Sequence, residues 1–524
     1  MMKSFRKFIL LFYFIFIIHL NAEVLNGLIL FSPYYSASSK TLLISNDQTV
    51  FHIWQHEEGP SSIPYLLPDS SIIYPYRVQN PSMLGGGVGG GIQKLKWDGT
   101  VIWDYVFSNH EYQHHHDIEI LPNGNIILIV WERKSAEEAY AIGRQSIENT
   151  LNELWVPALL ELEPETGNII WEWHIWDHLI QNIDASLFNY GVISEHPELM
   201  NINYGSAGGN VGDGADWMHI NSIDYNPQLD QIVISSRNMN EFYIIDHSTT
   251  IEEASQHDGG LSGKGGDFLF RWGNPIVYQR GDIYDQKLYG QHDVNWIEPG
   301  YPGDGSLILF NNGRGRPGTE YSSIDVITPM MDDSNNYYIP QESALLPDDL
   351  SWTFHDNKSF YSPRQSGSQR LSNGNTLITI AYSKRIIEVS LEGNIIWDYS
   401  LNDNSIGIPR AMKYEFDFFN NNNLKLNNKN LVGNFKVKQN FPNPFNPFTN
   451  LTYELPKESI VRITIFDMLG NVVKSLIDQK QSSGIKSIRW DGKNNQNQPV
   501  ASGVYPYQIM VGNHSQTKMM ILLK

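Results

Sequence analysis

The segment Glu161-Leu-Glu-Pro-Glu-Thr-Gly-Asn-Ile-Ile-Trp171 reads as a strand, a Gly-Asn turn and an apolar strand ending in Trp. The same plan returns in Lys94-Leu-Lys-Trp-Asp-Gly-Thr-Val-Ile-Trp103 and in Ile387-Glu-Val-Ser-Leu-Glu-Gly-Asn-Ile-Ile-Trp397. A second hairpin plan lies between these copies, in Ile118-Glu-Ile-Leu-Pro-Asn-Gly-Asn-Ile-Ile-Leu128 and Gln369-Arg-Leu-Ser-Asn-Gly-Asn-Thr-Leu-Ile378, with Ala344 to Trp352 as a looser copy. Asn-Gly supplies the positive φ that a tight hairpin requires. Two hairpins make a unit of four strands. About six units follow, near residues 27–55, 62–105, 114–175, 217–272, 290–354 and 366–401, with insertions such as 180–216. Four-stranded units in that number predict a six-bladed β-propeller around a central channel. An open double sandwich would give no reason for the hairpin pairs to recur.

Composition agrees with an all-β chain. Its 524 residues include 42 Gly, 14 Trp and 27 Tyr, with 41% hydrophobic residues, enough for a large core broken by turns. There is no Cys, which excludes disulfides, thiolate nucleophiles and Cys-ligated zinc. The net charge of −20 argues against nucleic-acid binding.

Lys3, Arg6 and Lys7 followed by the apolar run Phe8 to Leu20 and the small Ala22 read as a signal peptide over residues 1–22. The run is shorter than the ~20 residues a membrane-spanning helix needs, and no later run approaches that length, so no transmembrane segment is expected in the mature chain. Residues 435–524 carry 11 Lys or Arg against 5 Asp or Glu, a reversal that marks a separate module. Between the modules, residues 418–434 hold eight Asn in 17 positions, a linker composition. The propeller is therefore assigned to residues 23–417.

Histidines recur at one position of the units. His116, His219 and His292 start the first strand of their hairpins, six, eight and seven residues before Pro122, Pro227 and Pro299. If those strands are the innermost, the three imidazoles meet at one mouth of the channel. Arg237 follows the second strand of one hairpin, and Asn312, Arg314 and Arg316 follow that of another. In an acidic module an anion must be held by local donors, and clustered His and Arg suit a sulfate- or phosphate-like group. Taken singly, each Arg could instead pair with a nearby acid such as Asp224 or Asp325. His114-His115-His116-Asp117 invites a zinc or copper reading, but adjacent strand residues point to opposite faces, and no metal is assigned.

These residues carry a family resemblance. Asp216-Trp-Met-His-Ile-Asn-Ser-Ile-Asp-Tyr-Asn-Pro, Gln291-His-Asp with Leu-Phe-Asn-Asn-Gly-Arg-Gly-Arg, and Tyr361-Ser-Pro with Gln369-Arg-Leu-Ser-Asn-Gly-Asn-Thr-Leu are similar to the bacterial arylsulfotransferases. The resemblance spans most of residues 27–401. It implies an exported six-bladed propeller that moves a sulfuryl group from a phenolic sulfate to an acceptor phenol through a sulfohistidine, without a nucleotide or other cofactor. Supporting catalytic roles carry over to His219, His292 and Arg314, with Arg237, Asn312 and Arg316 expected at the substrate. The family's attacking His falls where this chain has Ser366, by turn spacing the counterpart of His116. His116 and His355 are the substitutes expected from the sequence. A propeller that binds an anion or a protein without catalysis is the alternative. A quinone-dependent dehydrogenase would usually have eight blades and a repeated docking motif.

The last module starts with the Pro-locked Asn440-Phe-Pro-Asn-Pro-Phe-Asn-Pro-Phe-Thr-Asn450, followed by alternating runs from Leu451, Val461, Ile485 and Gly503. This predicts a small Ig-like β-sandwich. With Phe466-Asp-Met-Leu-Gly-Asn-Val-Val, Trp490-Asp-Gly and Ala501-Ser-Gly-Val-Tyr in order, it resembles the C-terminal sorting domains of type IX secretion cargo. That resemblance implies recognition by the secretion machinery and release to the cell surface or medium. A carbohydrate-binding sandwich is the competing reading, but no aromatic platform stands out.

Overall fold

In the computed structural model, residues 23–416, 418, 436–438 and 440–523 are described, except 35–38, 208–213, 333–335, 339–343, 345, 441, 456–457, 468–471 and 512–513. The expected signal peptide lies outside the described residues, as does the linker apart from Phe418. The chain forms two compact units that divide at Asn423/Leu424. No helix among the described residues is long and apolar enough to cross a membrane.

The first unit holds six four-stranded antiparallel sheets, the blades of a propeller. Blades two to six use consecutive strands, starting at Tyr65–Leu66, Tyr112–Ile120, Ile220–Asn226, His292–Trp296 and Gly367–Arg370. The first strands of blades three to six lie against one another in turn and line the channel. Blade one differs, because its inner strand is Ala411–Glu415, which pairs with Gly27–Phe31 and locks the two ends of the ring together. The hairpin repeat did not announce this closure. Among the described residues of Ala344 to Trp352, Trp352 alone lies in a strand, Trp352–Phe354, the outermost of blade five, and the expected hairpin is not formed by them.

The repeating Trp has a structural explanation. Near the outer edge of each blade an aromatic side chain donates a hydrogen bond to the next blade. Trp54 reaches Lys96 O, Tyr105 Pro164 O, Trp171 Thr249 Oγ1, Trp272 Pro347 O, Trp352 Leu391 O and Trp397 Asn46 O, at 2.6–3.2 Å. Each acceptor lies between the third and outermost strands of its blade. The six contacts close a circle, with apolar packing beneath them, such as Ile29, Phe31 and Ile44 of blade one against Leu377, Ile386 and Trp397 of blade six.

The second unit is a sandwich of a three-stranded sheet (Lys436–Val437, Thr449–Leu455, Gly484–Trp490) and a four-stranded one (Ser459–Phe466, Val472–Gln481, Gly503–Val511, His514–Leu522). Alternate residues Leu451, Tyr453, Leu455 and Val461, Ile463, Ile465 point into its core with Trp490 and Tyr507, as the period-2 pattern requires.

Candidate functional site

The inner strands of blades three, four and five share a fault. Each loses register with its neighbour, between His114 and Ile118, Ile220 and Ser222, and His292 and Asn295. At each fault a residue takes left-handed backbone: His116 (φ 54°), His219 (φ 55°) and Asp293 (φ 57°). Such bulges re-aim side chains that a regular strand would send to alternate faces. The faults bring the three predicted histidines together. The His116 and His219 rings lie edge-on at 4.6 Å, and His219 is close enough to His292 to depress its protonation.

Each imidazole is oriented through Nδ1. His219 Nδ1 donates to Asp216 Oδ2 at 2.5 Å, and Asp216 also accepts from Trp131 Nε1 at 3.0 Å. His292 Nδ1 lies 2.7 Å from Asn312 Oδ1 and 3.1 Å from Gly290 O, both acceptors, so it carries the proton. His116 Nδ1 lies 2.8 Å from His115 Nδ1. Because His115 Nε2 is buried without a partner, and a buried bare N–H is the costlier state, the proton belongs on His115 Nδ1. His116 then presents Nε2–H to the channel, whereas His219 and His292 present Nε2 lone pairs. Burial, assisted by neighbouring positive charge, holds His116 well below its ordinary value and pushes His292 down to about 3. Both rings are neutral near pH 7.

Guanidinium groups stand beside the imidazoles. Arg237 is lowered to about 10, first by burial and then by the charges of Arg314 and Arg364. Arg77 depresses His116 and packs 5.2 Å from the Tyr34 ring. Several like charges gathered in this way favour an anionic guest.

Other expected residues behave differently. Asn312 is fully buried, and its Nδ2 donates to Ser362 O and Gln365 O, so it orients His292 and does not face a substrate. Arg316 is held over Tyr321 at 4.4 Å and Tyr289 at 5.2 Å. His355 follows the outermost strand of blade five and packs on Tyr321. Three strand spacings separate it from the inner strand, roughly 14 Å, which removes it from the cluster. Ser366 does occupy the position of His116 in blade six, again with positive φ (80°), but it is only 2% exposed. Its Oγ donates to Ser362 Oγ and accepts from Ala381 N.

Three features were not read from the sequence. The run Gly85-Gly86-Gly87-Val88-Gly89-Gly90-Gly91 wraps the histidines: His116 N donates to Gly87 O, and Gly90 N donates to His114 Nδ1. A Cβ on Gly87 would stand 2.0 Å from the His116 ring, and one on Gly86 would meet His219 at 3.2 Å. Six glycines in seven residues were the available signal. The second feature is Asp216, three residues before His219. The third is Arg410, which pairs with Asp293 and lies 3.0 Å from Asp117 Oδ1 and 2.7 Å from Tyr65 OH. The aspartates that follow His116 and His292 thus hold the closing segment of the ring in place.

The family model described as arylsulfotransferase (ASST) matches residues 77–405, and the FlgD Ig-like domain model matches residues 449–515. None of the curated proteins compared with the chain is significantly similar. Among solved structures, a Bacteroides caccae protein of unknown function aligns with TM-score 0.40 and 10% identity, over 74% of this chain and 98% of that one. The periplasmic gluconolactonase PpgL of Pseudomonas aeruginosa aligns with TM-score 0.37 and 11% identity, over 88% and 99%. PorZ, a surface component of the type IX secretion system of Porphyromonas gingivalis, aligns with TM-score 0.36 and 10% identity, over 95% and 58%.

Proposed function

Because the chain belongs to the arylsulfotransferase (ASST) family, we propose that it transfers a sulfuryl group from a phenolic sulfate to a phenol, with His219 as the nucleophile. The supporting observation is the Asp216–His219 pair. When Nε2 attacks sulfur, the N–S bond forms, the S–O bond to the aryl group breaks, and positive charge develops on the imidazole ring. A carboxylate at Nδ1 offsets that charge, whereas His292 has an amide oxygen at Nδ1 and His116 another imidazole. His116 Nε2–H and the guanidinium groups of Arg237 and Arg314 stabilise the sulfuryl oxygens and the departing phenolate. In the second half-reaction His292 Nε2 accepts a hydrogen bond from the acceptor phenol and orients it, the phenolic oxygen attacks sulfur, the N–S bond breaks to restore His219, and the acceptor's proton passes to solvent. That proton balances the phenolate released into solvent in the first half-reaction, so no base is consumed.

The test is phenol release from a chromogenic aryl sulfate, with and without an acceptor phenol, followed by intact mass. Acceptor-dependent release and a transient gain of one sulfuryl group are expected in the wild type and in Ser366→Ala, and neither in His219→Ala. Release that survives His219→Ala, or an adduct mapped to another residue, would remove His219 from this role. A second reading, a propeller that binds anions without turnover, is favoured by Ser366, whose hydroxyl is bound up with Ser362 and Ala381. Sulfate binding without release from any donor would establish that reading.

We further propose export by the basic, apolar N-terminus and sorting by the C-terminal unit through the type IX machinery. Deleting residues 435–524 should then retain the propeller inside a host that has this machinery, and secretion of the truncated chain would refute the sorting role.

A further inference from the structure

Blade four carries an insertion between its third strand, Glu241–Asp246, and its outermost strand, Phe270–Trp272. This loop contains Gly259, Gly260, Gly263, Gly265 and Gly266 and folds back onto His178, which follows the outermost strand of blade three, Asn168–His174. The His178 ring is fully buried and lies parallel to Trp173 at 5.8 Å. A Cβ on Gly266 would come within 2.5 Å of His178 Nε2 and 2.1 Å of Ala254 O, so only glycine permits the approach.

The hydrogen-bond pattern at His178 poses a question of chemistry. Nε2 faces Ala254 O at 2.9 Å, an acceptor only, so Nε2 carries hydrogen. In a neutral ring Nδ1 is then a lone pair, yet it stands 2.7 Å from Asp267 Oδ1. His257 Nδ1 stands 2.8 Å from the same oxygen. Three potential electron-pair donors, drawn from two distant stretches of chain, converge within 4.8 Å of one another.

We propose that His178, His257 and Asp267 form a zinc-type metal site that staples the insertion to the rim of blades three and four. Two imidazoles and a carboxylate suit a zinc-type dication, and a ligating His typically gives its other N–H to a backbone carbonyl, as His178 does. Zinc bonds of ~2.0–2.1 Å in a tetrahedron place ligand atoms about 3.3 Å apart. The two histidine–Asp267 distances therefore need to open by roughly half an ångström and the two imidazole nitrogens, within 4.8 Å of each other, to settle at the same spacing, and His257, which is solvent-exposed, can supply that movement. Solvent takes the fourth position. The staple offsets the conformational entropy lost in ordering a glycine-rich loop. The site lies at the outer strands, and its existence does not depend on the sulfuryl-transfer reading.

The rival occupant of the gap is a proton, which would make His178 an imidazolium paired with Asp267. Protein stripped with EDTA and titrated with zinc sulfate distinguishes the two, read by calorimetry and by tryptic cleavage at the exposed Lys264 within the loop. Wild type should bind one more equivalent of zinc than His257→Ala, a change at an exposed residue that leaves the fold intact. At free zinc ten times the Kd, opening of the loop and hence cleavage at Lys264 should slow about tenfold in wild type and not in the variant. Equal zinc stoichiometry and affinity in the two proteins, or cleavage at Lys264 indifferent to zinc, would overturn the site.

Discussion

The three channel imidazoles differ in what sits behind them, and that difference decides what each can do. Asp216 fixes the His219 tautomer and balances charge on its ring, while Asn312 fixes His292 with a neutral dipole. Asp216→Asn should keep the geometry and lose the charge, lowering kcat by about two to four powers of ten with a smaller change in KM, as steady-state transfer assays would show. Burial of His292 has its own signature. Its folded value of about 3 lies below the ordinary 6.5, so between these values the unfolded chain takes up a proton that the folded chain refuses, and stability falls as pH falls through 6.5. From pH 7 to pH 5 wild type should lose about 2 kcal/mol more than His292→Gln in denaturant melts. The histidine cluster was legible because one residue type recurred at one place before a turn. Asn312, Arg316 and His355 were placed at the substrate by their company in sequence, which carries no information about depth or about position across a blade. Asp216 was in view within a motif, but its role required the turn that folds it back on His219.

At the scale of elements, the site is made by irregularity. Three bulged inner strands deliver the histidines, and a glycine-rich loop from blade two fills the space between them. Hairpins were legible from alternation and Asn-Gly turns, but a bulge leaves no periodic trace, and a run of glycines has no side-chain pattern that would place it against the histidines. Two glycines with similar backbone separate the ordinary cost of positive φ from the special role of the loop. Gly124, in a hairpin turn at φ 91°, has nothing within 4 Å of a hypothetical Cβ, whereas Gly87, at φ 74°, would drive one into the His116 ring. Gly124→Ala should lower stability by about 1 kcal/mol and leave transfer unchanged. Gly87→Ala should incur the same backbone penalty and also displace His116, so transfer falls at least tenfold at a temperature where the protein is still folded. Thermal melts and turnover measured on both variants would check this, and equal activity would mean that the loop is only a spacer.

The first unit of the molecule is a closed ring, and its closure meets its chemistry at Arg410. The unit repeat and the change in charge near residue 435 made two modules legible. The closing strand Ala411–Glu415 was not, because its sequence follows neither hairpin plan and its partner lies at the other end of the propeller. Just before that strand, Arg410 pairs with Asp293 and Asp117, which directly follow His292 and His116, so closing the ring also sets the two bulges. Removing one partner of such a buried set is far more damaging than losing a surface pair, because the carboxylates stay behind unpaired; Arg410→Leu should cost about 3–5 kcal/mol. The sign of its pH dependence follows from Asp293. Burial already raises that carboxyl and Arg410 restrains the rise, so in the variant it climbs further. With the folded value above the unfolded one, the folded variant holds a proton that the unfolded chain releases, and its stability declines as pH rises through that interval. Acidification should therefore narrow the gap between variant and wild type. Paired denaturant melts at pH 7.5 and about pH 5 test this: a gap that stays constant would mean that Arg410 acts by packing alone, and a shrinking one that it neutralises the carboxylates behind the histidines.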